Sequence, residues 1–185
     1  KQGHIAYPEN VINPIFLSSD LIVKLKNQVW DNGNAIFQPT SFQISNISSG
    51  TGAKNVVPGH LDMLFNFRFS TESTESSLRK EFESIVDSLD FDYEIEWNLS
   101  GLPYLTTENT LKDIVVNSIK KEAGIDADKN AKGGTSDGRF IAKMKTEIIE
   151  LGPLNKTIHQ IDECVSIADL VLLKNIYLDL LKELN

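Results

Sequence analysis

The 185-residue sequence predicts an α+β fold in two parts. Residues 1–103 are expected to form a ferredoxin-like unit, a four-stranded antiparallel sheet with two helices on one face. Residues 104–185 are expected to form a partial α/β segment. Three observations lead there. The element order through the first part reads strand, helix, strand, strand, helix, strand. Leu61, Met63, Phe65, Phe67 and Phe69 alternate with Asp62, Asn66 and Arg68, the period of a strand with one buried face. At Ser100-Gly101-Leu102-Pro103 the pattern breaks, and helices then alternate with short apolar stretches.

The elements follow in order. Gly3 to Pro8 reads as a strand that is already under way. Asn13-Pro14 starts a helix, because Asn can cap the free amides and Pro at the first helical position gives up no bond. Ile15, Leu21, Ile22 and Leu25 continue its spacing to about Trp30, with Gly33 available as the stop. Thr40 to Ile47 is a strand and Gly50-Thr51-Gly52 a loop, followed by the Phe-rich strand. A second helix carries the stripe Leu78, Phe82, Ile85, Val86 and Leu89, and Tyr93, Ile95 and Trp97 alternate as the fourth strand. In the second part a helix at Leu111 to Ile119 precedes a Gly-rich turn and a helix near Ser136 to Met144. A short buried strand at Glu147 to Leu151 and a long helix from Ile167 to Leu184 complete it. One or two strands do not make a parallel sheet, so an apolar helix face is expected to be left uncovered there.

Composition narrows the class. Lys and Arg number 18 against 26 Asp and Glu, and a net charge of −8 disfavours binding of phosphate backbones, so no nucleic-acid partner is expected. No apolar run reaches the roughly 20 residues of a membrane span. Cys164 is the single cysteine, which fits a reducing, cytoplasmic setting. Its neighbours Asp162 and Glu163 disfavour a thiolate, and packing is its expected role. The chain opens at Lys1 and has Met only at 63 and 144, so a fragment or processed chain is expected.

The chemistry-bearing residues are few. By spacing alone His159, in a turn after the expected buried strand, reads more readily as a surface histidine than as a metal ligand, with Glu163 as a weak second ligand. His4 reads equally as a half-exposed strand residue, and His60 is a turn residue. Gly133-Gly134-Thr135-Ser136-Asp137-Gly138-Arg139-Phe140 is the most unusual string: two glycines expose backbone amides, and Thr135 or Ser136 can cap the helix that follows. An ordinary capped turn has the same sequence features. Arg68, on the polar side of the Phe-rich strand, suits a carboxylate, although a lone strand Arg is usually solvated or ion-paired.

Taken in order, Gly3-His4-Ile5-Ala6-Tyr7-Pro8, Asn13-Pro14, Gly50-Thr51-Gly52, Asn55-Val56-Val57-Pro58, Asn66-Phe67-Arg68-Phe69, Gly133 to Phe140, and Gly152-Pro153-Leu154-Asn155 through His159 are more specific than any one alone. Over essentially its whole length the chain resembles the C-terminal half of the bacterial succinyl-diaminopimelate desuccinylases, di-zinc amidohydrolases of the aminoacylase and carboxypeptidase superfamily. The resemblance implies that residues 1–103 are a lid, or dimerisation, domain. Residues 104–185 would then be the last segment of a zinc-hydrolase catalytic domain, incomplete without an N-terminal half.

The implied reaction is metal-assisted hydrolysis of N-succinyl-LL-2,6-diaminopimelate to succinate and LL-2,6-diaminopimelate, in bacterial lysine and diaminopimelate biosynthesis. Two zinc ions serve each full site, with cobalt as the alternative ion. By match to the family's motifs, His159 is a zinc ligand and His4 is the lid histidine that reaches the other subunit's site to stabilise the oxyanion. Asn55 contacts substrate across a homodimer formed through the lid. Tyr7, Arg68, Gly134, Thr135 and Asn155 hold the diaminopimelate end. Glu9 and Lys54 depart from the family's usual residues, a histidine and a small polar residue or Asn. The remaining zinc ligands and the general-base glutamate belong to the other half, so this chain alone is expected to be inactive. Acetylornithine deacetylase or another N-acyl amino acid hydrolase is the alternative within the enzyme class, and a non-catalytic dimerisation or binding module is the alternative outside it.

Overall fold

The computed structural model describes residues 1–107, 109–134, 136–144 and 146–184. The chain divides into two compact units, Lys1–Ser100 and Gly101–Asn185.

In the first unit strand β1 (Gly3–His4) leads through a short 3-10 turn (Pro8–Asn10) to helix α1 (Pro14–Asn27). Asn13 caps α1 as its sequence predicts, its side chain accepting from the Ile15 amide at 3.0 Å. The helix ends at Asn27, short of Trp30. Gln28 turns to extended backbone, and Gly33 takes its positive φ in the loop beyond instead of stopping the helix. Strand β2 (Ser41–Ser49) pairs antiparallel with β4 (Leu61–Arg68), with a bulge at Ser45, and β3 (Val56–Val57) pairs antiparallel with β1. Helix α2 (Glu75–Asp87) begins at a capping box in which Thr74 and Ser77 satisfy each other's amides.

The core of this unit lies between the helices and the inner face of the β2–β4 ribbon. Leu21, Leu25, Trp30, Leu78, Phe82 and Val86 are buried, with Phe42, Phe65, Phe67, Ile95 and Trp97 packed against them. The Phe65 and Phe82 rings stack at 4.5 Å, and Trp30 meets Phe67 edge-on at 4.6 Å. Such pairs each add about 1 kcal/mol beyond the area they bury.

The expected four-stranded sheet is not what the strands form. Among the described residues there are two separate two-stranded sheets, β1–β3 and β2–β4. Residues 93–97 pack half-buried Ile95 and Trp97 against the core, whereas Tyr93, expected on the same face, is exposed, and the stretch makes no ladder. Side chains tether this stretch to α2 instead: the Tyr93 hydroxyl donates to Asp87, and Trp97 Nε1 donates to Glu83 at 2.9 Å. Alternation reports which side chains are buried, whereas a ladder also needs a free backbone edge alongside.

The second unit pairs helix α3 (Thr110–Ala123) with α5 (Ile167–Glu183) through Val115, Ile119, Ile176 and Leu180. Asp179, buried on α5, is ion-paired with Lys121 of α3. Gly124 closes α3 in the left-handed conformation that its lack of a side chain permits. Between them the helix expected near Ser136 to Met144 shrinks to α4 (Gly138–Ile141) and a 3-10 turn ending at Met144.

The expected strand at Glu147 to Leu151 is not a strand either. Ile149 and Leu151 do pack on the core, but side chains from elsewhere bond the backbone. The Thr106 hydroxyl accepts from the Ile148 amide at 3.1 Å and donates to its carbonyl at 2.7 Å, and the Tyr177 hydroxyl donates to the Leu151 carbonyl at 2.6 Å. On its other face α5 exposes Ile167, Val171 and Leu178, so the helix is apolar nearly all round. Among the described residues no helix is long and apolar enough to cross a membrane.

Candidate functional site

Pairing of β1 with β3 brings three of the candidate residues into one neighbourhood. His4 is registered against Val56, and the Ile5 amide donates to the Asn55 carbonyl at 3.1 Å, so Asn55 lies beside the His4–Ile5 backbone. Tyr7 follows across a turn closed by its amide donating to the His4 carbonyl at 3.0 Å, and its ring stands 5.7 Å from that of His4. All three are exposed.

The Ala6 amide donates to Nδ1 of His4 at 3.1 Å. That bond occupies Nδ1 as an acceptor, so the neutral imidazole carries its proton on Nε2 and presents a donor to solvent. The β1–β3 pair thus brings an exposed N–H donor, a phenol and a carboxamide into one neighbourhood. Pro8, beginning the 3-10 turn, follows directly on Tyr7, and Glu9 is occupied by the Asn10 side chain at 2.9 Å.

Arg68 is the last residue of β4, exposed on the ribbon's outer face opposite Ser41. Seven steps along the strand separate it from Leu61, about 24 Å at the usual rise per residue.

In the second unit Gly134, Asn155 and His159 all lie in exposed loops, and Thr135 lies outside the described residues. Gly133 has φ 116, in the region that disfavours any side chain, and open space surrounds Gly134 where a Cβ would stand. Ser136 acts locally like a cap, its Oγ accepting from the Gly138 amide at 3.0 Å, although the residue before α4 is Asp137. Asn155 accepts at its carbonyl from the Ile158 amide at 3.2 Å.

His159 has φ 59, and its amide donates to Glu163 Oε2 at 3.2 Å. Glu163 therefore braces the turn that carries the histidine. Among the described residues no group of three or more His, Cys, Asp or Glu side chains converges to hold a metal ion. The residues described do not by themselves fit a zinc centre. Cys164 is exposed rather than packed, with its backbone amide bonded to the Thr157 hydroxyl at 3.1 Å. Acidic neighbours along the chain do not fix whether a side chain is buried.

Sequence spacing does not single out Tyr104 and Glu150. Both are bonded to each other and to Ser136 beside the glycine turn. Residues 104, 136 and 150 share no local period, and no sequence signal joins them.

Residues 1–94 match the peptidase dimerisation domain family. Over 183 residues the chain is 52% identical to a succinyl-diaminopimelate desuccinylase of Pseudomonas syringae pv. syringae, across 99% of this chain and 48% of that protein. It is 53% identical over 177 residues to one from Ectopseudomonas mendocina, across 96% of this chain and 47% of the relative. The chain therefore spans about half the length of these curated relatives. A tripeptidase from Staphylococcus aureus superposes with a TM-score of 0.71 at 22% identity, over 99% of this chain and 48% of that one. A metallo-carboxypeptidase from Sulfolobus solfataricus gives 0.67 at 15%, over 98% and 55%. At such identities the neighbours establish the fold alone.

Proposed function

Because the chain belongs to the M20 peptidase dimerisation-domain family, we propose that it forms the C-terminal part of a metal-dependent amidohydrolase that cleaves N-succinyl-LL-2,6-diaminopimelate to succinate and LL-2,6-diaminopimelate. The single observation that carries this reading is the identity of 52% along 99% of the chain to a desuccinylase. The exposed neighbourhood of His4, Tyr7 and Asn55 supports it.

In this reading residues 1–103 are the lid and form a homodimer, and residues 104–185 are a segment of the catalytic domain. His4 offers its Nε2 hydrogen to the oxygen on which negative charge develops, in the partner subunit's site. Asn55 contacts the substrate from the same neighbourhood. Tyr7, Arg68, Gly134, Thr135 and Asn155 hold the diaminopimelate end. A guanidinium suits its carboxylate through paired hydrogen bonds, and the backbone amides of a glycine turn suit an anionic group. His159 is one ligand of a zinc centre whose other ligands, with the general base, come from outside this chain.

The test is succinate release from the substrate, by the purified chain alone and after coexpression with the part of the Pseudomonas syringae relative that the chain does not cover. None is expected from the chain alone, and turnover is expected from the pair. Turnover by the 185-residue chain alone would overturn the divided site. A folded, dimeric pair without turnover would favour a dimerisation module, and preference for an acetylated substrate would favour a deacetylase.

A further inference from the structure

Beside the glycine turn sits a cluster with no role in the reading above. One oxygen of Glu150, Oε1, accepts from both the Tyr104 and the Ser136 hydroxyls. Ser136 Oγ in turn accepts from the Gly138 amide at 3.0 Å. Gly138 is wedged against all three: a Cβ there would collide with the Tyr104 hydroxyl and lie 3.0 Å from Ser136 Oγ and 3.1 Å from Glu150 Oε1. The would-be Cβ positions of Gly133 and Gly134, by contrast, meet no atom within 4 Å. The cluster therefore fastens Ser136 and Gly138, on the C-terminal side of the two glycines, while Gly133 and Gly134 themselves stand clear. Burial raises the Tyr104 pKa, and the bond to Glu150 raises it further, so the phenol stays protonated and able to donate.

We propose that Glu150 is a positioning residue that, through Tyr104 and Ser136, holds the Gly133–Gly134 turn in the shape that presents its backbone to the substrate. This rests on the reading that Gly134 contacts the diaminopimelate end. Glu150 itself is engaged with the two hydroxyls and acts through them. A free Gly-Gly turn samples many conformations, and ordering it at the moment of binding would weaken affinity. A turn already tethered by charge-assisted hydrogen bonds loses less. Removing the tether therefore raises KM and leaves kcat nearly unchanged.

The experiment has two arms. In the full 185-residue chain, amide hydrogen exchange is followed for wild type, Glu150→Gln and Tyr104→Phe. Exchange at Gly138 should quicken about tenfold in both variants, while α3 and α5 stay protected. In the coexpressed enzyme described above, both variants should raise KM about tenfold with kcat within about twofold, and Glu150→Asp should recover part of the loss.

Unchanged exchange and KM would overturn the proposal. A fall in kcat at constant KM would also overturn it, since Glu150 would then act in the chemistry. Should Glu150→Gln unfold the unit, Tyr104→Phe keeps the ring packed and decides the matter. Should the wild-type pair fail to turn over the substrate, the functional reading fails, and the exchange arm still decides whether Glu150 fastens the Ser136–Gly138 segment that follows the glycines.

Discussion

The Ser73 hydroxyl donates to Asp31 Oδ2 at 2.6 Å, tying the approach to α2 to the loop that follows α1. The same carboxylate accepts from the Gly33 and Thr40 amides at 2.8 Å each, from the Ser70 hydroxyl at 3.1 Å and from the Thr40 hydroxyl. One side chain thereby gathers the loop, the entry to β2, the exit of β4 and the approach to α2. Asp31→Ala is expected to destabilise the first unit by about 2–3 kcal/mol, because it strands several donors at once. Urea unfolding checks this, and a change under about 0.5 kcal/mol would refute it.

The same hub sets an acid response. Burial acts to raise the Asp31 pKa, but hydrogen bonds from the Ser73 and Thr40 side chains, then from the Thr40 and Gly33 amides, hold it well below the usual carboxylate range. A depressed folded value means that the stabilisation is fully present above the unfolded value of about 4 and is lost as pH falls below it. The melting temperature should drop from about pH 4 downward, and Asp31→Asn should flatten that slope. Identical acid limbs in the two proteins would exclude Asp31 as the source.

Phe82 is 2% exposed and meets Phe42, Phe65, Phe67 and Trp97. Truncation to Ala removes a ring from the centre of that cluster and should cost about 3–5 kcal/mol. Loss of near-ultraviolet circular dichroism at ambient temperature, or a much lower denaturation midpoint, would register it. Wild-type stability would mean that the cluster is loosely packed.

For the proposed dimer, light scattering on the purified chain should give a mass near twice 20.7 kDa, falling towards that value on dilution. A monomer mass that does not change with concentration counts against assembly through the lid.

Elemental analysis after exhaustive buffer exchange should find less than one zinc per chain, since tight zinc sites use at least three protein ligands. One or two retained ions would mean that residues other than His159 complete a centre, and the divided site would have to be abandoned.

The features legible in the sequence are those fixed by neighbours along the chain. Asn13-Pro14 announces the start of α1, and the alternation from Leu61 marks β4 to within a residue, because capping and face burial depend on spacing of a few positions. The apolar stripes of α2 and α5 are read from the same local periods. Tertiary structure decided what depends on partners distant in the chain. It decided that β1 pairs with β3, which carries His4 to Asn55, and that Trp97 anchors to Glu83 instead of entering a ladder. It also decided that Thr106 occupies the backbone groups which the stretch around Ile148 would otherwise offer to a strand, and that Glu150 meets Ser136 and Tyr104. A hydrogen-bonding edge has many suitors in a chain of this length. Only the folded packing, which sets their distances, selects among them.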